Sequence, residues 1–132
     1  MKRFFVLMAC AVVLVAASCG KDGTGSGAGE LSVRLTSPNS GADSAIVFTI
    51  SGPAALTSAT AGVGLRLFRQ PLGGTTTRFA LTGRLTTSTT ILTIGVADVN
   101  AVGQYTGTIE GVAQPNYVLR TLPGNYLLTV IR

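Results

Sequence analysis

The chain has no histidine among its 132 residues, which removes the commonest general base and the commonest metal ligand. A Ser-His-Asp or Cys-His arrangement cannot be assembled. Proton transfer would fall to the five acids Asp22, Glu30, Asp43, Asp98 and Glu110. Glycoside hydrolysis needs two carboxylates flanking a scissile bond. Asp98 and Glu110 are the pair for that chemistry if their strands are neighbours. A turn residue and a solvated strand residue are the plainer expectation for the two, and we read the chain as not an enzyme. Asp98-Val99-Asn100 offers two oxygen-bearing side chains on one parity, a fragment of a calcium ligand set. Calcium takes about six to eight oxygens, and no acid-rich loop supplies the others. The same tripeptide fits a turn in which Asp98 and Asn100 bond their own backbone. Gly103, Gly107 and Gly111 lack the Lys and the following helix of a phosphate loop. No metal and no cofactor is expected.

The remaining chemistry is arginine. Beyond residue 18 one Lys and seven Arg face five acids, a net charge of +3. Arg34, Arg66, Arg78, Arg84 and Arg120 each sit on a parity opposite apolar neighbours, so all five are expected to line solvent faces. Scattered solubilising charge is the plain explanation; a basic face resting on anionic headgroups or glycans is the sharper one. Export and the lack of clustered aromatics argue against nucleic acid. Phe68 stands out because it shares a parity with Arg66 and adjoins Arg69. Arg66, Phe68 and Arg69 form a possible binding patch, unless a second sheet covers the ring.

These side chains must be carried by strands. Apolar residues recur with period two, and no helical periodicity lasts beyond a turn. Leu31, Val33 and Leu35 form one inward set; Val63, Leu65 and Leu67 a second; Phe79 and Leu81 a third. Tyr105 and Ile109 share a parity against Thr106, Thr108 and Glu110, and Tyr126, Leu128 and Val130 close the series. Each Tyr follows a Gly by two residues and is expected to seat a strand with its hydroxyl near solvent. Residues 45–50 and 91–96 are apolar on both parities, as central strands or strands facing a partner are. Turn signals separate the runs, among them Ser37-Pro38-Asn39-Ser40-Gly41, Ser51-Gly52-Pro53 and Gln114-Pro115-Asn116. Residues 30–132 therefore predict an all-β domain, an antiparallel two-sheet β-sandwich of about eight strands. A closed barrel is the rival. An outer-membrane barrel needs strands of about 9–11 residues, longer than most of these runs.

The sandwich is preceded by an address. Met1-Lys2-Arg3 is positive, residues 4–15 are apolar without interruption, and Ala16-Ala17-Ser18-Cys19 follows. An apolar run of twelve residues spans roughly 18 Å as a helix, short of a hydrocarbon core of about 30 Å. It fits a cleaved signal. The small residues before Cys19 resemble the lipobox of bacterial lipoproteins, although Ala16 stands where that family usually has Leu. The resemblance implies a signal peptide over 1–18, lipidation of Cys19 and a membrane partner through the lipid. Plain secretion after Ser18 is the competing expectation. Cys10 leaves with the signal, so the mature chain cannot form an intramolecular disulfide. Residues 19–29 read as the lipidated Cys and a flexible Gly/Ser linker, whose ten residues after Cys19 span roughly 17 Å as a coil. Gly20, rather than Asp, follows the Cys, which in bacterial lipoproteins implies the outer membrane.

The closing Leu122-Pro123-Gly124-Asn125-Tyr126-Leu127-Leu128-Thr129-Val130 resembles the last hairpin strand of immunoglobulin-like bacterial modules. The order of elements from Leu31 onward is similar to cohesin-type sandwiches. Such a resemblance implies architecture, with an envelope protein or glycan as partner, and carries over no residue. The expected role is a non-catalytic, lipid-anchored structural or ligand-binding module of the cell envelope. A cohesin-like docking module is one alternative and a hydrolase using Asp98 and Glu110 another. The doubly apolar strands would also suit a subunit of a larger assembly.

Overall fold

The computed structural model describes residues 27–122 and 125–132. The signal, Cys19 and most of the linker lie outside the described residues. Eight strands form two antiparallel sheets of four. They are β1 (Gly29–Thr36), β2 (Asp43–Ser51), β3 (Ser58–Ala61), β4 (Arg66–Gly73), β5 (Thr76–Leu85), β6 (Thr89–Val96), β7 (Thr106–Ala113) and β8 (Leu127–Ile131). A short 3-10 helix, Val99–Gln104, joins β6 to β7. One sheet runs β3-β6-β1-β8 and the other β4-β5-β2-β7.

Alternation builds the core between them. Leu31, Val33 and Leu35 of β1 face Ile46, Phe48 and Ile50 of β2, all nearly inaccessible to solvent. Phe79 and Leu81 of β5 and Leu92, Ile94 and Val96 of β6 complete the layer. Phe48 and Phe79 are cross-strand partners whose ring centroids lie 5.7 Å apart. The two runs apolar on both parities are the inner strands β2 and β6. On β6 a register shift opposite Val33 and Arg34 turns Ile91 inward beside Leu92.

Among the described residues only β4 and β5 form a hairpin within one sheet. Its turn, Gly74-Thr75, is entered through Gly73 and Gly74 at φ 99° and 57°, a region open to glycine. Every other connection crosses between the sheets, so β8 pairs with β1 and is not a hairpin partner of β7. The inward set proposed at Val63 is also corrected. Val63 lies fully exposed in the turn between β3 and β4, and β4 begins at Arg66. The flanking Gly62 bonds Ile91 O through its backbone N–H, which closes the turn before a strand can start.

The sandwich has two unlike ends. Gly27, the β4–β5 hairpin, the 3-10 helix and the C-terminus gather where β1 begins. The loops 37–42, 62–65 and 86–88 and residues 114–122 and 125–126 gather where β1 ends. The seven residue steps of β1 separate the ends by about 23 Å.

Candidate functional site

At the loop end the first residue of β2, Asp43, has a side chain with no solvent exposure. A buried carboxylate is tolerable only when its oxygens are satisfied. Arg120 Nε donates to Oδ1 at 2.7 Å, and the Tyr126 hydroxyl donates to Oδ2 at 2.6 Å. Ser37 Oγ adds a longer bond to Oδ2 at 3.3 Å. Around this pair Asn39 Nδ2 donates to the Tyr126 hydroxyl at 2.8 Å, and Arg120 Nη2 donates to Ala42 O at 3.2 Å. Burial, reinforced by the bond to Asp43, pushes the Tyr126 phenol up.

Asp43 thus ties together loop 37–42, the start of β2, Arg120 after β7 and Tyr126 before β8. Arg120 is correspondingly not a strand residue on a solvent face. It lies in the loop after β7, where its N–H bonds Val112 O and its guanidinium turns back to Asp43. Tyr126 likewise keeps its hydroxyl inside the network rather than in water. The pattern of parities could not show this, because the partners come from irregular segments 77 and 83 residues away from Asp43. With both carboxylate oxygens bonded and the Asp43 side chain out of solvent, the cluster holds loops in place.

Asp98 caps the 3-10 helix at the other end. Its Oδ1 accepts from Asn100 N at 2.9 Å and from Gly27 N at 3.4 Å, the turn expected from Asp98-Val99-Asn100. Asn100 in turn accepts from Arg132 Nη1 at 2.9 Å. Nearby Tyr105 is buried, and its hydroxyl has no hydrogen-bond partner. The expectation of a solvent-facing hydroxyl fails there too. Burial, with a smaller contribution from the Asp98 charge, raises the Tyr105 phenol above its ordinary value.

Glu110 projects from the outward face of β7. Arg78 grips it with both edges of the guanidinium, Nε to Oε2 at 2.8 Å and Nη2 to Oε1 at 3.1 Å, across the intervening β2. The bond to Glu110 holds the Arg78 guanidinium above its ordinary value. Asp98 and Glu110 therefore do not meet. They share no partner, and the four residue steps from Thr106 to Glu110 alone cover about 13 Å. Among the described residues no group of three potential metal ligands assembles.

The patch of Arg66, Phe68 and Arg69 is split by the edge strand that carries it. Arg66 and Phe68 point outward from β4, and Phe68 is half exposed with no second sheet over it. Its outward neighbours are Gln70, Arg78 and Ala80. Arg69 points to the opposite face, where Nη2 reaches Leu56 O at 3.5 Å.

Two features were not signalled by alternation. A groove of about 470 Å³ opens between the edge strands β7 and β8, lined by Gly107, Ile109, Leu122, Tyr126, Leu127 and Leu128 among others. Beyond it, Tyr117, Val118 and Leu119 are 89%, 51% and 72% exposed. Their turn is well built: Tyr117 N donates to Gln114 O, Gln114 N donates to Val118 O, and Val118 N donates to Asn116 Oδ1. Tyr117 holds φ at 67°, a left-handed conformation costly for an aromatic residue. The signal available in the sequence was three consecutive large apolar residues following Gln114-Pro115-Asn116.

No protein-family model and no curated protein matches the chain. Among the described residues no helix is long and apolar enough to cross a membrane.

Proposed function

We propose that this chain is a lipid-anchored, non-catalytic protein of the cell envelope whose β-sandwich presents a ligand-binding surface. The observation that carries the reading is how the acids are used. Asp43 is buried against Arg120, Asp98 caps a turn, and Glu110 is held by Arg78. These three carboxylates already maintain the fold, and the two suggested for hydrolysis are kept apart. The anchor rests on Cys19 and its apolar leader, with Gly20 favouring the outer membrane.

A cohesin-like docking module remains the alternative within the same reading. A glycan-binding version would be favoured by aromatic side chains from adjacent strands forming a flat strip. The exposed aromatics of the described residues are Phe68, on edge strand β4, and Tyr117, in the turn beyond the opposite edge strand β7. Three strand spacings, about 14 Å, lie between those edges. That geometry favours a protein partner over a glycan.

The anchor is tested by expressing the full chain in a bacterial host and measuring the intact mass in the membrane fraction. The expected product begins at Cys19 and carries a diacylglyceryl group, and Cys19→Ser abolishes the modification. An unmodified product cut after Ser18 would remove the anchor from the proposal.

A further inference from the structure

We propose that the loop end of the sandwich is a docking surface for an acidic protein segment with apolar side chains, and that Tyr117 and Leu119 are its anchors. This names the surface and partner class of the binding module described above and rests on that reading. Three observations converge on one end of the molecule.

First, exposed apolar side chains are segregated there. Val63, Tyr117, Val118, Leu119 and Leu127 all lie at the loop end, whereas Phe68 sits midway along β4 and Leu72 lies at the end where Gly27 enters. Exposure of single apolar residues is ordinary; several gathered on loops at one end mark an interaction surface.

Second, the tip is held rigidly in an unfavourable state. Tyr117 is left-handed, three hydrogen bonds close its turn, and Arg120, one residue past Leu119, is clamped to buried Asp43. A pre-organised tip loses less entropy on binding.

Third, the charge around the tip has one sign. Arg34, Arg66 and Arg84 are exposed at or near this end. None of them pairs with a carboxylate among the described residues. Asp43, the acid of this end, is buried and neutralised by Arg120. Glu30 and Asp98 lie at the other end, and Glu110, midway along β7, is paired with Arg78. An acidic partner is therefore attracted and correctly oriented, and a basic one repelled. The mixture of Tyr, Leu, Val and Arg is that of a protein interface core with a charged rim. Placement about 23 Å from Gly27 directs the surface away from the tether.

The experiment is a selection from a random peptide display library on the full chain, with titration of the enriched peptides. Enriched sequences are expected to combine Asp or Glu with aromatic or branched apolar residues. Tyr117→Ser with Leu119→Ser should weaken binding by about tenfold or more. Arg66→Glu with Arg84→Glu should weaken it too, chiefly at low salt. Leu72→Ser should leave it unchanged, and circular dichroism should report the same fold for every variant. Peptides that bind but ignore both double variants would overturn the surface while leaving a binding module. Enrichment without acidic residues would overturn the partner class. Phosphatidylglycerol vesicles or polygalacturonate binding with the same residue dependence, in place of peptides, would replace the protein partner with a bilayer or a glycan. Failure to enrich any peptide, with no binding to those two probes, would overturn the surface and the binding reading together.

Discussion

Arg120 Nε lies 2.7 Å from Oδ1 of Asp43, joining a loop after β7 to the first residue of β2 across 77 residues of chain. The Asp43 side chain is wholly buried, and that of Arg120 keeps about a fifth of its surface. The pair is thus asymmetric. Removing the Arg strands a charge that water cannot reach, whereas removing the Asp leaves a guanidinium that can turn outward.

Arg120→Ala should therefore destabilise the domain more than Asp43→Asn does. Breaking a buried pair costs about 3–5 kcal/mol, and partial exposure of Arg120 places its loss near the lower figure. A loss of about 3 kcal/mol in a domain this size lowers the thermal midpoint by roughly 10–20 °C. Calorimetry on both variants checks the order. Equal midpoints for the two would show that the burial of Asp43 carries no penalty.

The same substitution at two tyrosines should have opposite effects. Tyr126→Phe removes a hydroxyl that donates to Asp43 and accepts from Asn39, at a cost of about 1–2 kcal/mol. Tyr105→Phe removes a buried hydroxyl that has no partner. It should be neutral or stabilising by up to about 1 kcal/mol, because an unsatisfied polar group is taken out of the core. Urea unfolding midpoints compare the two directly, and a clear loss for Tyr105→Phe would mean that its hydroxyl is bonded in solution.

The contrast between those tyrosines shows what was legible in the sequence. Period-two alternation located β1, β5, β7 and β8 and the inward positions Leu31, Val33, Phe79 and Leu128, because burial on one face leaves that mark. It misplaced Val63, since a turn can repeat the spacing of a strand for a few residues without any pairing. Arg120 was misassigned because parity has meaning only inside a strand, and it lies outside one. Asp43 gave no sign of its role, because its partners are far away in the chain. The exposed tip was visible only as an apolar triplet, and its function depends on which end of the sandwich it occupies. Cys19 and the leader remain a matter of sequence alone.

Gly52 tests the packing of Tyr105 from the other side. A Cβ there would collide with Cδ1 and Cε1 of the Tyr105 ring. The ring is buried beside the 3-10 helix and cannot swing into solvent without opening the core. Gly52→Ala should then cost about 1–3 kcal/mol through overpacking. Tyr105→Ala in the same background should relieve part of that cost. The two substitutions are expected to be non-additive in a double-mutant cycle, and strict additivity would mean that the ring does not meet residue 52.

Tyr105 and Tyr126 also fix the response to alkali. Tyr105 and Tyr126 have phenols raised above the ordinary value of 10.0, in each case chiefly by burial. The unfolded chain therefore releases these protons at lower pH than the folded chain does. Stability from the two groups is complete below about pH 10 and falls as pH rises through their folded values, because there the folded state binds more protons than the unfolded one. Phenolate absorbance should thus show two tyrosines ionising late and together with loss of the folded circular dichroism signal. In Tyr126→Phe the late component should shrink to one group. Free ionisation of Tyr105 and Tyr126 near pH 10, with the fold intact, would contradict the burial of Tyr105 and the bond from Tyr126 to Asp43.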